Sequence, residues 1–459
     1  MLARISHGRG SLDVELPGHA HVDVLEKRPV PPLADPDAAL RAGLAAPIGA
    51  PPLRELARGR SGAVIAISDH TRPVPLGALL PPILDALREG GLPPQAVTLL
   101  VATGLHRPST PAELDEMLGR DLARGLRIVQ HDARDSASHV DLGHTPGGLP
   151  IRIDRRFVES DLRIVTGLVE PHLMAGYSGG RKAVCPGLAD VETVRVAHGA
   201  AMLEGRVAPG LVDGNPLHAE LLEVVRRIGV HFCVNVALDR ERRIAAVHCG
   251  DVERSHAQAM AFVESESLVS LDAPADLVVT SAGGHPADAT FYQAIKGLST
   301  ASAIVRPGGA ILLCAALSEG VGSASFEAIL RDTPSVEAFE ARLADERCFA
   351  IDQWMVQHLC QARRRARVLL YTDGMPLERA GQLLVEAVST PAAGIARGLH
   401  GAPARPRIAV LPQGPYVLAT LRGEKRPLGR GDPFPLAEAR ERSGRGGGPP
   451  APPLPATPA

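Results

Sequence analysis

Aromatic residues are scarce in this chain of 459 residues, at 3%, with a single tryptophan. That scarcity removes the stacking platforms on which unpaired bases are held. A surplus of either charge is also missing, since 49 lysines and arginines stand against 51 aspartates and glutamates, a formal net charge of −2 with the signs interspersed. No basic stripe is left for a phosphate backbone, so nucleic acid is set aside as a partner. The six cysteines, Cys185, Cys233, Cys249, Cys314, Cys348 and Cys360, include no CxxC pair. Neither a zinc ribbon nor a disulfide framework can be read from them, and reduced, mostly buried thiols are expected. The opening "MLARISHGRGSLDVELPG" has no apolar targeting core. No run approaches the roughly 18 apolar residues of a membrane span, so the expectation is a cytoplasmic protein without a membrane segment.

What is present is an alternation of short apolar runs with helical patterns, the signature of α/β units with largely parallel strands. "GAVIAIS" (62–68), "AVTLLVATG" (96–104) and "LRIVTGLV" (162–169) read as strands, and Thr110, Pro111 and Glu113 mark a capped helix start. "VHFCVNVALDRERRIAAVHCG" predicts an antiparallel hairpin, and with a helix at 251–266 it closes a first domain, 1–268. The pattern restarts with strands at 276–283, 309–317 and 367–373, predicting a second α/β domain over 269–422. Its last strand, 407–421, is a candidate to pack back on the first domain. Residues 423–459, rich in Pro, Gly and Arg without periodicity, predict a disordered tail.

Three polar clusters each follow an apolar strand candidate: "SDHTRPVP", "TGLHRPST" and "VEPHLMAGYSGGRK". In open parallel sheets ligands bind outside the carboxyl ends of the strands, so these loops converge if the strands pair. Pairing would gather Asp69, Arg72, His106, Arg107, His172, Arg181 and Lys182 at one sheet edge. Taken singly, each cluster is equally well read as turn chemistry or a flexible glycine loop, and only their shared position favours a site.

"GYSGGRKAVCPG" resembles a phosphate loop but fails as one. GxxxxGK[ST] needs glycine directly before lysine and a hydroxyl after it, whereas Arg181 separates Gly180 from Lys182 and Ala183 follows. ATP hydrolysis is set aside, although the small residues leave room for backbone N–H groups to meet an anion. His106, His172 and His198 have no metal-ligand spacing, so a metal site is left open. His131, His139 and His144 are read as solvated loop histidines. In "FYQAIKG", Gln293 and Lys296 share one helix face, and in "DQWMVQHL" Trp354 reads first as core packing.

Taken together, "SDHTRP", "TGLHRP", "EPHLMAGYSGGRKAVCPG", the downstream His198, "FYQAIKG" and "LPQGPYVL" resemble the nickel-dependent lactate racemase family, in order, across roughly residues 5 to 422. The resemblance implies two α/β domains with mainly parallel sheets and an interdomain active-site cleft. It also implies a nickel-pincer nucleotide covalently attached to Lys182, with His198 as the protein's nickel ligand and Gly179, Gly180, Arg181 and Trp354 as cofactor neighbours. His106 and His172 would be the acid/base pair, while Arg72, Lys296, Gln293 and Asp69 would serve the substrate, a small 2-hydroxy acid. The proteins that make the nucleotide would be partners.

Such chemistry wants these residue types. Two imidazoles near neutrality suit reciprocal proton transfer, and an arginine fork matches a carboxylate. Two rivals are a non-catalytic carrier of the cofactor, which needs no histidine pair, and a cofactor-free two-base racemase. The second would bring solvent deuterium to C2 during turnover in heavy water, whereas internal hydride return would not.

Overall fold

The computed structural model describes residues 1–203, 207–345 and 348–423. The expected tail, 423–459, lies outside the described residues except for Gly423. Among them are two six-stranded sheets. The first runs Ile244–Gly250, Phe232–Leu238, Leu162–Leu168, Ala63–Ser68, Val97–Ala102, Arg127–Gln130, all parallel except its first strand. That exception is the antiparallel hairpin read from the sequence. The second, wholly parallel, runs Glu386–Val388, Ala366–Tyr371, Val305–Cys314, Ala275–Ser281, Arg407–Leu411, His21–Val24.

The strands are apolar runs because both sheet faces are covered. Ile65, Ile67, Leu99 and Val101 pack with Leu79, Leu80 and Ile83 of the helix Leu76–Glu89, all buried. On the opposite face Ala66, Leu100 and Val165 join Val278, Ile311 and Leu313 of the second sheet in one continuous apolar cluster. Each large aliphatic chain buried there contributes on the order of 1.5–3 kcal/mol. Thr110 and Glu113 form the reciprocal cap expected of them at the helix Pro111–Leu118.

Sheet membership does not follow the division at residue 268. The strand His21–Val24 lies beside Arg407–Leu411, and Ala3, Ile5, Val14 and Leu16 pack with Leu277 and Leu312. The segment 407–421 splits: Arg407–Leu411 sits inside the second sheet, while Leu418 packs with Val169, Tyr177 and Ala237 on the first. All six cysteines are unpaired, five of them buried. No described helix is long and apolar enough to cross a membrane.

His131 and His139 are not solvated. His131 lies 3.1 Å from Asp154 Oδ2 through Nδ1 and 3.0 Å from the Ala189 carbonyl through Nε2, and His139 is likewise buried. The polar segment is covered because His139–His144 pairs with Pro150–Asp154 as a hairpin, leaving only His144 of the three exposed.

Candidate active site

The strands Leu162–Leu168, Ala63–Ser68 and Val97–Ala102 are immediate neighbours, so the loops after their carboxyl ends meet. They enclose a cavity of about 150 Å³. Asp69, Arg72, His106, His172, Gly179, Lys182 and His198 line it from the first sheet, and Gln293, Lys296 and Trp354 from the second. Gln293 and Lys296 both face it although the helix breaks between them, at Ile295.

Asp69 does not stand free toward a substrate. Its Oδ2 lies 2.6 Å from Nδ1 of His106, and its Oδ1 accepts from the Thr71 hydroxyl at 2.6 Å and the Thr71 amide at 3.2 Å. Burial opposes its ionisation, yet His106, Arg72 and Thr71 together hold its carboxyl below the ordinary range. A carboxylate only accepts, so His106 carries its proton on Nδ1 and presents a bare Nε2.

His172 is arranged the other way. Its Nδ1 accepts from the amides of Met174 and Ala175, each at 3.2 Å, so the neutral ring keeps its proton on Nε2. Burial, then the charges of Lys182, Lys296 and Arg72, drive its pKa well down, which keeps it neutral. Arg72 is steadied by the carbonyl and hydroxyl of Thr71 at 3.2 and 3.0 Å.

Lys182 is pushed down to about 7 by burial and by the cations Arg72 and Arg181, so near neutrality much of it is uncharged amine. His198 donates from Nδ1 to the Val194 carbonyl at 3.1 Å, leaving Nε2 bare, and burial pushes it down to about 3. A neutral imidazole with one free nitrogen is a metal ligand in waiting. No group of three or more His, Cys, Asp or Glu among the described residues could hold a metal, so an ion here must bring other donors with it. A nucleophilic amine, a single bare imidazole and Trp354, whose ring lies 4.9 Å from that of His198, fit a chelated metal tethered to lysine.

Three expected neighbours of the cavity are placed elsewhere. Arg107 is drawn outward by Glu113, at 2.6 and 2.8 Å. Gly180 and Arg181 do not line the cavity. The glycines instead let the loop lie flat on the sheet: a Cβ on Gly179 would meet Val169 Cγ2 at 2.6 Å, and one on Gly180 would meet His256 Cγ at 2.8 Å, both at positive φ. The loop opens no regular helix, only the single turn Gly180–Ala183. Gly180→Ala is therefore expected to destabilise the fold by about 1–3 kcal/mol, read as a lowered melting temperature in calorimetry. An unchanged melting temperature would contradict that packing. Cys185, pushed up to about 12 by burial, is an inert packing thiol.

Residues the sequence reasoning passed over complete the wall. Tyr292 accepts from Trp354 Nε1 at 2.8 Å, and Asp352, in a left-handed conformation at φ 74°, accepts from the Ser323 hydroxyl. Both line the cavity, and burial raises both their pKa values. Glu170 shares a smaller cavity with Arg72, His172 and Lys296, and burial likewise raises its pKa. Tyr292, Asp352 and Glu170 all lie inside motifs already quoted, so the polar neighbours within those motifs were the signal that could have found them.

Residues 7–209 match the family model described as "Lactate racemase N-terminal domain", and residues 271–419 the one described as "Lactate racemase C-terminal domain". The chain belongs to the lactate racemase family. Membership makes it an isomerase. The lactate racemase of Thermoanaerobacterium thermosaccharolyticum is 31% identical over 90% of this chain and 98% of its own length. That of Lactiplantibacillus plantarum is 35% identical over 71% of this chain and 77% of its own. The solved lactate racemase apoprotein from T. thermosaccharolyticum superposes with a TM-score of 0.85 at 29% identity, covering 91% of this chain and all, 100%, of that one. A Thermotoga maritima protein, at 18% identity and a TM-score of 0.66 over 84% of this chain and 98% of its own, shares the fold.

Proposed function

We propose that this chain interconverts the enantiomers of lactate or a similarly small 2-hydroxy acid, using a nickel-pincer nucleotide held on Lys182. The observation that carries the reading is two histidines of opposite polarity in one cavity with Arg72 and Lys296. Arg72 and Lys296 receive the carboxylate; burial and the charge of Arg72 push the Lys296 amine well below its ordinary range, and a bound anion favours its charged form. His106, with Nδ1–H bound to Asp69, takes the hydroxyl proton at Nε2. His172, with Nε2–H, gives its proton to the keto oxygen when the 2-keto acid returns to hydroxy acid of the other hand, and takes the hydroxyl proton when the reaction starts from that enantiomer. Gln293, whose Oε1 is buried without a protein partner, lines the same cavity and is left for the substrate, with the hydroxyl proton itself reserved for the histidines.

Lys182 would hold the nucleotide covalently and His198 Nε2 would bind nickel, with Trp354 packed alongside. When bound, the nucleotide supplies a hydride acceptor, so the hydroxy acid can pass through its 2-keto form without a Cα carbanion. A cytoplasmic setting and the proteins that build the nucleotide belong to the same reading.

Co-production with those proteins should give an intact-mass adduct on Lys182 and one nickel per chain, while an unmodified lysine overturns the cofactor. A panel of enantiopure 2-hydroxy acids then names the substrate, and no racemisation of any of them overturns the activity.

A further inference from the structure

Arg181 is among the largest fully buried side chains of the protein, only 1% exposed, yet it touches nothing in the cavity next door. Its Nη2 donates to the Ala175 carbonyl at 2.7 Å, and its Nη1 lies 3.1 Å from Nδ1 of His256. His256, on the helix Val252–Ser267 and 3% exposed, reaches the same loop again through Nε2, 2.8 Å from the Ser178 carbonyl. A guanidinium has donors only, so Nδ1 accepts and the ring proton sits on Nε2, where Ser178 receives it. The two side chains thereby hold the carbonyls of Ala175 and Ser178, either side of the short strand Gly176–Tyr177 that leads into the turn bearing Lys182. The ring also lies beneath Gly180, where a Cβ would come within 2.8 Å of it. Burial alone pushes Arg181 down to about 9, as expected of a guanidinium with carbonyl and imidazole partners and no carboxylate.

We propose that His256 and Arg181 are positioning residues for the attachment lysine, a clamp that fixes the loop 175–181 and aims the Lys182 amine into the cavity without touching cofactor or substrate. The proposal rests on Lys182 being the attachment point. Lys296 lines the same cavity but sits on a different element, and serves as an internal reference.

The test uses the full chain without cofactor, trace-labelled with acetic anhydride, and the ratio of acetylated Lys182 to acetylated Lys296 from peptide mass spectrometry. His256→Leu removes both arms and is expected to raise that ratio at least about fivefold, the weight of one lost hydrogen bond, with the melting temperature recorded alongside. His256→Asn keeps only the reach to Arg181 and His256→Gln only the reach to Ser178, so each should shift the ratio by less than the leucine variant does. If His256→Leu does not fold, the Asn and Gln variants decide, and ratios equal to the parent in both overturn the clamp. General loosening would raise both lysines together and leave the ratio unchanged, which also overturns it. An absent adduct on the parent protein after co-production would instead refute Lys182 as the attachment point, a result the labelling ratio does not depend on.

Discussion

Asp69→Asn lowers kcat on the order of 10²–10⁴-fold in both directions while the fold and the Lys182 adduct persist. The expectation follows from which atoms face each other. Asp69 Oδ1 serves Thr71, so a carboxamide can keep that oxygen in place and turn its NH₂ toward His106 Nδ1, 2.6 Å away. Nδ1 must then accept, the imidazole proton moves to Nε2, and the base is filled before substrate arrives. The shape of the site is nearly unaltered, so KM for the hydroxy acid should move far less than kcat. His106→Ala should fall in the same range, and combining the two should add little because they act as one unit. Chiral chromatography of initial rates from either enantiomer decides it. An Asp69→Asn enzyme within about fivefold of the parent would show that His106 does not depend on its partner for its proton.

Stability should fall steeply in mild acid, before the carboxylates of Asp69 and Asp154 titrate. His172 and His256 are both buried, and burial, joined by Lys182 and Lys296 for the first and Arg181 for the second, drives their pKa values well below the ordinary histidine range. His218, the neighbour of His256, is likewise pushed down by burial, to about 4, and stays neutral through the same window. The unfolded chain takes up protons at these rings near pH 6.5 and the folded chain does not, so stability is present above about pH 6.5 and is lost as pH falls through that window. At pH 5 each ring withdraws at most about 2 kcal/mol, the limit set by an unfolded value near 6.5. Asp69 is held below the usual carboxylate range and Asp154 down to about 2, so their contribution is present above about pH 4 and disappears only below it. Urea unfolding of the cofactor-free protein at pH 7, 6 and 5 should show the loss, with His256→Gln flattening the slope by about one proton. Equal midpoints at pH 7 and 5 would contradict the burial of both rings.

The strands and the meeting of three loops were legible because apolar runs followed by polar turns have only one arrangement in a parallel sheet that brings the turns together. Lys182, His106 and His172 could be placed in one site on that ground, whereas His198, on a helix beyond the loop, came only with the family resemblance. Asp69 could be named but not aimed, since its partner His106 is 37 residues away in sequence and nothing local pairs them. Arg181 and Gly180 were drawn toward the cofactor by their position beside Lys182, whereas alternate residues of a tight turn point opposite ways and theirs face the sheet and His256. His131 looked solvated because its covering strand comes only afterwards, at His139–His144. Long-range pairing of this kind leaves no periodic trace in the chain.

The place of the strand His21–Val24 has a temporal consequence. It is bonded to Arg407–Leu411, and Asp23 meets Arg407 at 2.7 Å across 384 residues of chain. On a ribosome, that edge of the sheet cannot be finished until nearly the whole protein has emerged, while the first sheet has all its strands by Gly250. Lys182 is thus made early, and the wall bearing Gln293, Lys296 and Trp354 closes over it late. Lys182 leaves the ribosome before the residues that wall its cavity from the second sheet, and in the finished chain that wall already stands over it.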